Sequence, residues 1–280
     1  MPTFATPGPI LATVVVAGAQ VRVTASDRTE TVVRVEPIDN ANPAHMKVAD
    51  KTKVDFAGGQ LSVKTTTSGE NSGSVAITID LPAGSSLVSY LAHSDVQAEG
   101  SYGDCELHMA SGRVDLDRIK ALQANIAGGE VTIGRIAEGA TVDGAGFAMR
   151  IGAIADAVKL SSSGGQVWIG HASADLDLSS GSASFDIDRA DGRVTAKTGT
   201  GAIRVGRLTR GHAELANHAG NIEIGISAGT AAAVDADSKK GAVYNFLPPL
   251  ENADDKVTVH ARSRHGDITI QSAASVTATN

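Results

Sequence analysis

From about residue 100 the chain repeats one short phrase: a glycine, any residue, an aliphatic or small apolar residue, any residue, and a second aliphatic. The copies are Gly112-Arg-Val-Asp-Leu, Gly129-Glu-Val-Thr-Ile, the imperfect Gly146-Phe-Ala-Met-Arg-Ile, Gly165-Gln-Val-Trp-Ile, Gly181-Ser-Ala-Ser-Phe, Gly201-Ala-Ile-Arg-Val, Gly220-Asn-Ile-Glu-Ile and Gly266-Asp-Ile-Thr-Ile, with a weaker one at Gly241-Ala-Val-Tyr-Asn. From Gly112 to Gly241 the steps are 17, 17, 19, 16, 20, 19 and 21 residues. That period is too regular for chance and too short for a helical repeat. Between the phrases lies a second alternating segment, such as Val158-Lys-Leu-Ser-Ser, Leu176-Asp-Leu-Ser-Ser, Val194-Thr-Ala-Lys-Thr and Ala213-Glu-Leu-Ala-Asn, so each period carries two strands. Alternation with period two puts Val167, Ile169, Leu176, Leu178, Phe185, Ile187, Ile203, Val205, Ile222 and Ile224 on one face, and this is the predicted core.

A single coil of this kind buries too few side chains to offset the entropy of ordering it, so coils must stack and share their cores. The expected fold is therefore all-β: a glycine-punctuated, β-solenoid-like stack with about two strands per repeat of 16 to 21 residues. The pattern reads as one domain over residues 1–280, with an irregular β cap over 1–95, the repeat stack over 96–272 and a tail over 273–280. In the cap the strands are longer and unevenly spaced (Thr13 to Thr24, Thr31 to Glu36, Gln60 to Thr65, Ser74 to Leu81), with a Gly- and Ser-rich loop from Thr66 to Ser74. Asn42 to Lys51 reads as one short helix. Lys256 to Arg262 and Gly266 to Gln271 read as a final strand pair after a loop from Pro248 to Asp255.

Composition narrows the partners. The 31 glycines against 8 prolines suit many tight turns rather than disorder. A net charge of −7 argues against a surface that tracks nucleic-acid phosphates. Cys105 is the sole cysteine, so no internal disulfide or thiolate metal cluster can form; this suits a reducing compartment, and a cytoplasmic location is expected. Ile10 to Ala19 is apolar and Ala17-Gly18-Ala19 looks like a leader cleavage site. However, no Lys or Arg precedes Arg22, and the apolar alternation runs on through Val21 and Val23 as strand would. No apolar run approaches the length of a membrane-spanning helix.

The repeat phrases, together with Phe4-Ala-Thr-Pro-Gly-Pro-Ile, Ala25-Ser-Asp-Arg-Thr-Glu-Thr-Val-Val, Ala57-Gly-Gly-Gln-Leu-Ser-Val-Lys and the closing Gly266-Asp-Ile-Thr-Ile, resemble the bacterial "putative adhesin" family of β-strand repeat proteins, also called toastrack domains. The resemblance spans essentially the whole chain. It implies a glycine-punctuated β stack, in a family often discussed with envelope stress or surface attachment, and it brings no catalytic residues to carry over.

Candidate chemistry is sparse. Gly225-Ile-Ser227-Ala-Gly229 matches a nucleophile elbow, with Asp254 and His260 following in the order of a hydrolase triad. An elbow requires a helix directly after the serine, and Ala231, Ala233 and Asp235 lead into strand instead, so a plain turn is expected. The pairs Asp115/Asp117, Asp175/Asp177 and Asp186/Asp188 place two carboxylates on an outer strand face, where solvation explains them as well as a hard cation would. His260 and His265 form no recognisable ligand set. Trp168 is the sole tryptophan, which leaves little for aromatic stacking platforms. Arg118, Arg135, His171 and Arg207 each sit six residues after their repeat's glycine, so stacking at about 4.8 Å per layer lines them along one corner, interrupted at Gly152 and Ile187. This is the candidate stripe for an anionic partner.

No catalytic, metal or cofactor site is assigned, and no cofactor is expected. The function expected is non-enzymatic: a binding or scaffold module for an unidentified protein partner, through a face of the stack or an exposed terminal edge. No nucleic acid and no integral membrane segment are expected, whereas peripheral membrane association or edge-to-edge self-association fits the pattern. The alternative from another class is a left-handed β-helix acyltransferase, suggested by coils near 18 residues and by Ile-Gly at Ile133, Ile151, Ile169 and Ile224. That fold needs an apolar residue every six positions, whereas here the alternation is every two.

Overall fold

Alternating sequence produces strands whose apolar side chains all leave from one face, and in the computed structural model such strands are laid in parallel, in-register layers. The structure describes residues 1–65, 73–248 and 256–273. The expected loops therefore lie outside the described residues over 66–72 and 249–255, as does 274–280 of the expected tail. The chain divides into two compact units: Met1–Ala137 with Val142–Phe147, and Glu138–Thr141 with Ala148–Asn280.

In the second unit each coil has two legs. Strand Val158–Ala172 lies parallel to Leu176–Ala190, and that strand is followed by the pairs Val194–Thr200/Ile203–Leu208 and Gly211–Ala219/Ile222–Ile226. Like residues stack in columns. Val167, Phe185, Ile203, Ile222 and Ile268 form one, Ile169, Ile187, Val205, Ile224 and Ile270 a second, and Leu160, Leu178, Ala196, Leu215 and Ala261 a third. All ten residues predicted for the core are buried. Gly165, Gly201, Gly220 and Gly266 adopt positive φ at the corner where the second leg begins. A Cβ on Gly220 would lie 2.3 Å from the carbonyl oxygen of Gly201, so no other residue fits.

Two features depart from the sequence reading. Gly181 does not belong to that glycine file. Ala183 lies opposite Gly165, so the repeat copy there begins two residues later than its glycine suggested. The final strand pair is also not at the end of the stack: Lys256–His265 and Ile268–Ser272 lie between the pair Gly211–Ala219/Ile222–Ile226 and the pair Ala231–Ser238/Val243–Asn245. The pair earlier in sequence is the outermost layer of the unit among the described residues.

The first unit repeats this threading. Strands Leu11–Ala17 and Ala19–Ser26 lie between Gln60–Lys64/Val75–Pro82 on one side and the first coil of Ser86–Ile136 on the other, all parallel. Beyond them the pairing changes sense. Lys53–Ala57 adds antiparallel to Gln60–Lys64, Glu30–Pro37 antiparallel to Val75–Pro82, and Thr3–Ala5 antiparallel to Glu30–Pro37. The expected helix is present as Pro43–Lys51. Asn42 caps it by accepting a hydrogen bond from the Ala44 N–H, Pro43 occupies the first turn, and Val48 is buried.

Candidate functional site

The stripe residues fall into two groups, each within one unit. In the first unit Gly134 lies over Asp117, which places Arg135 one layer above Arg118. Both side chains are exposed. The Arg118 Nε donates to Ser101 Oγ at 3.0 Å, and its guanidinium is 3.5 Å from Asp117. In the second unit His171 lies opposite Arg189, and the register that sets Ile187 opposite Val205 and Ala190 opposite Leu208 sets Arg189 opposite Arg207. The interruption expected at Ile187 is therefore a cation. Counting from Gly181 hid Arg189, whereas aligning Phe185 and Ile187 with Ile203 and Val205 would have found it.

This second group holds a carboxylate of its own. Asp191, only 13% exposed, accepts from Arg189 Nε at 2.9 Å and from Thr209 Oγ1 at 2.6 Å, and lies 2.8 Å from His171 Nε2. Burial works to raise the Asp191 carboxyl, but the hydrogen bonds from Arg189, Thr209 and His171 and the Arg189 charge hold it well below the usual carboxylate range. The cluster clamps adjacent layers together across the corner.

The other candidates resolve in ordinary ways. No helix follows Ser227: the chain turns at Thr230 and enters strand Ala231–Ser238. His260 Nδ1 is 3.2 Å from Asp235, and Asp254 lies outside the described residues. Arg204 bridges Asp186 and Asp188. Asp175 accepts the Arg193 backbone N–H at 2.9 Å, and Asp117 accepts that of Gly100 at 3.3 Å. Layering brings His260 beside His212 and His265 beside His218, ring centroids 5.1 and 5.4 Å apart. Among the described residues no three His, Cys, Asp or Glu side chains are placed to hold a metal. Trp168 lies under Arg150, 5.8 Å from guanidinium carbon to ring centroid. The Cys105 thiol is pushed up to about 12 by burial, with Asp104 adding to the effect. No helix among the described residues is long and apolar enough to cross a membrane.

The surface that stands apart is the outermost layer of the second unit. Among the described residues, Ala231–Ser238 pairs only with Lys256–His265, and Val243–Asn245 only with Ile268–Ser272. In a parallel ladder a residue turns both its N–H and its C=O to the same side, alternating along the strand. The Lys239 N–H bonds to Ser263 C=O, so Ala232, Val234, Ala236 and Ser238 direct their backbone groups outward; the bonds at Ala242 and Phe246 do the same for Val243 and Asn245. Val243, Tyr244 and Phe246 are 41%, 45% and 65% exposed there, with the rings of Tyr244 and Phe246 stacked at 6.1 Å.

Comparison with known proteins bears on the fold. The family model described as Toastrack DUF4097 matches residues 13–272. No curated protein matches the chain. Among solved structures it is similar to a putative adhesin from Parabacteroides merdae ATCC 43184, at 9% identity over 98% of this chain and 95% of that one, with a TM-score of 0.43. It is also similar to a putative lipid binding protein from Parabacteroides distasonis ATCC 8503, at 11% identity over 96% and 95%, with a TM-score of 0.44.

Proposed function

Because the chain belongs to the Toastrack DUF4097 family, whose fold is a stack of β-strand layers, we propose that it works as a non-enzymatic binding module. It captures an extended segment of a partner protein at the edge formed by Ala231–Ser238 and Val243–Asn245, which is unpaired on its outer side among the described residues. The observation that carries this reading is the one-sided pairing of that layer, with a row of outward N–H and C=O groups beside three exposed apolar side chains. Donors and acceptors alternating at strand spacing are complemented by another polypeptide strand, which adds main-chain hydrogen bonds for affinity and places every second side chain against the edge for specificity. Soluble proteins blunt such edges with charge, proline or a covering element. Here charge is confined to Asp235 and Asp237 in the second half of the strand, Ala231-Ala-Ala-Val234 offers neither charge nor proline, and Tyr244 and Phe246 supply aromatic anchors of the kind that dominate binding energy.

The test is a photo-crosslinker, p-benzoylphenylalanine, placed in the native cell at Phe246 or Tyr244 on the edge and at Gln166 and Lys159 away from it. One protein adduct formed from the edge positions only, and lost when Ala236→Pro removes an outward N–H, is the expected result. Adducts equal at all four positions, or an edge adduct that is a second copy of this chain or a lipid, would overturn it.

A further inference from the structure

The first unit shows what a covered edge looks like within this chain. Glu30–Pro37 lies on Val75–Pro82 with Val33 opposite Ile79 and Val35 opposite Ile77, and Lys53–Ala57 lies on Gln60–Lys64 with Val54 opposite Val63 and Phe56 opposite Leu61. The covering strands bring an apolar side chain to each core column, and Val33 is fully buried as a result. Charge is matched as well. Asp80 on the covered strand is met at 3.4 Å by Arg28, from the segment that leads into the cover. A cover thus answers two features of an edge, its apolar columns and its carboxylates.

The edge of the second unit presents the same two features, unanswered among the described residues. Ala232, Val234 and Ala236 continue the core columns of Val257, Val259 and Ala261 and are half-buried, so the last layer of the core stays partly open to water. The opposite face of the strand carries Asp235 and Asp237, both exposed. Within the stack, carboxylates are met by cations of a neighbouring layer: Glu214 by Lys197, Asp186 by Arg204, and Asp235 by Arg262. Asp237 lies opposite Arg262 but makes no hydrogen bond or ion pair among the described residues, and neither aspartate has a layer on its outer side there. The rest of the chain is poorly matched to this edge. Residues 249–255 and 274–280 contain no Lys or Arg, and the first of these segments contains Glu251, Asp254 and Asp255. A second copy is mismatched too, because antiparallel pairing of two such strands about Asp235 or Ala236 sets aspartate against aspartate.

We propose that the edge selects a basic, alternating segment of another protein, with bulky apolar side chains facing Ala232, Val234 and Ala236 and Lys or Arg facing Asp235 and Asp237. The pattern rests on strand capture at this edge and adds the chemistry that chooses the partner. Main-chain hydrogen bonds are common to any strand and give affinity without choice, whereas the side chains on the two faces discriminate. The small residues Ala232 and Ala236 leave room at the end of the core columns for larger apolar groups, and directly opposed cross-strand positions bring a cation within reach of each carboxylate. An acidic segment of the same shape would set like charges opposite each other.

The experiment is fluorescence anisotropy of the full chain with three capped, dye-labelled peptides. One is Val-Lys-Val-Lys-Val-Lys-Val, one has Glu in place of Lys, and one is Val-Val-Val-Val-Lys-Lys-Lys, which keeps the composition and removes the alternation. The alternating lysine peptide is expected to bind about tenfold or more tightly than either of the others. Asp237→Lys, which leaves the Asp235–Arg262 pair intact, should remove most of the preference for lysine over glutamate, and adding Asp235→Lys should reverse it. Ala236→Pro, which removes an outward N–H, should weaken every peptide. Asp177→Asn, in the column of Asp235 but inside the stack, should change nothing. Equal binding of the lysine and glutamate peptides, lost in Ala236→Pro, would overturn the pattern and leave strand capture standing. So would equal binding of the two lysine peptides, or no peptide bound by a chain whose edge crosslinks a partner in the cell. Binding indifferent to Ala236→Pro, or a chain that sediments as a dimer dissociated by Ala236→Pro, would overturn the pattern and the capture reading together.

Discussion

The outermost parallel layers of the two units are built alike and finished differently. In the first unit Gln60–Lys64 and Val75–Pro82 are each covered by an antiparallel strand, Lys53–Ala57 and Glu30–Pro37. Thr3–Ala5 is laid over the second of these, Phe4 stacks on Phe56 at 4.9 Å, and the helix Pro43–Lys51 packs on Glu30–Pro37 and Val75–Pro82. Leu61, Val63, Ile77 and Ile79 are buried as a result. In the second unit Ala231–Ser238 and Val243–Asn245 receive no such cover among the described residues. The apolar positions of that layer are half-buried, and Val243, Tyr244 and Phe246 are open. In both units the coil nearest a chain terminus sits one layer inward, with ladder partners on both sides. Each unit therefore secures its terminal coil by threading, and antiparallel strands are an addition that hides an edge. In the second unit the described residues supply none.

Truncating one apolar side chain in each layer measures this difference most directly. Leu61→Ala opens a cavity in a site with no exposure and should cost about 2 to 5 kcal/mol in urea denaturation. Val234→Ala removes a side chain that is already part-hydrated and should cost less than about 1 kcal/mol. Equal losses would mean that the second edge is covered in solution, by a second copy or by residues outside the described ones, and would break the comparison.

Glycines sharpen it next. Gly220 lies inside the stack with φ 119°, and a Cβ there would meet the Gly201 carbonyl at 2.3 Å. Gly229 lies in the turn leading to the open edge with φ 81° and nothing within 4 Å. Gly220→Ala adds a backbone clash to the conformational penalty and should cost about 2 to 4 kcal/mol, whereas Gly229→Ala carries the penalty alone, about 1 to 2 kcal/mol. Thermal unfolding of the two variants checks this, and a Gly229→Ala loss matching that of Gly220→Ala would show the turn to be packed rather than open.

Much of this architecture is legible in the chain, because alternation with period two is the direct imprint of a layer that buries one face. Val167, Phe185, Ile203 and Ile222 could be placed in the core without knowing which coil neighbours which. Coil order is another matter. Ile268 fits a column of Ile203 and Ile222 whether its layer lies last or next to last, since every coil offers the same apolar columns and the same ladder. Sequence proximity then favours the wrong neighbour for both terminal coils. Register failed at Gly181 for a local reason: Ala183 occupies the glycine file there, and counting from the nearer glycine shifted the copy by two and concealed Arg189. The stacked corner file of Thr198, Asn217 and Ser263 was invisible because its members, read along the chain, look like ordinary ends of strands. Only stacking shows that Asn217 and Ser263 are adjacent, buried and incompletely bonded.

Two aspartates carry the comparison into pH. Asp191 clamps a corner inside the second unit and Asp235 sits on its open edge, and both carboxyls are held below their ordinary value: Asp191 against the cost of burial, by Arg189, Thr209 and His171, and Asp235 by Arg262 and His260. A carboxyl depressed on folding contributes stability that is complete above its unfolded value, near pH 4, and is lost as pH falls toward and through the folded one. For Asp191, largely withdrawn from water, Asp191→Asn should therefore cost about 1 to 3 kcal/mol at pH 7 and flatten the decline of stability below pH 4. For Asp235 the same charge attraction operates between half-exposed side chains, where long side chains lose entropy in pairing and water competes for both partners. Asp235→Asn should move the urea midpoint far less than Asp191→Asn does, with little change across the acid range. If it flattened the acid limb as Asp191→Asn does, the Asp235–Arg262 pair would have to be screened from solvent, and an edge screened from solvent in the isolated chain is not free to receive a partner strand.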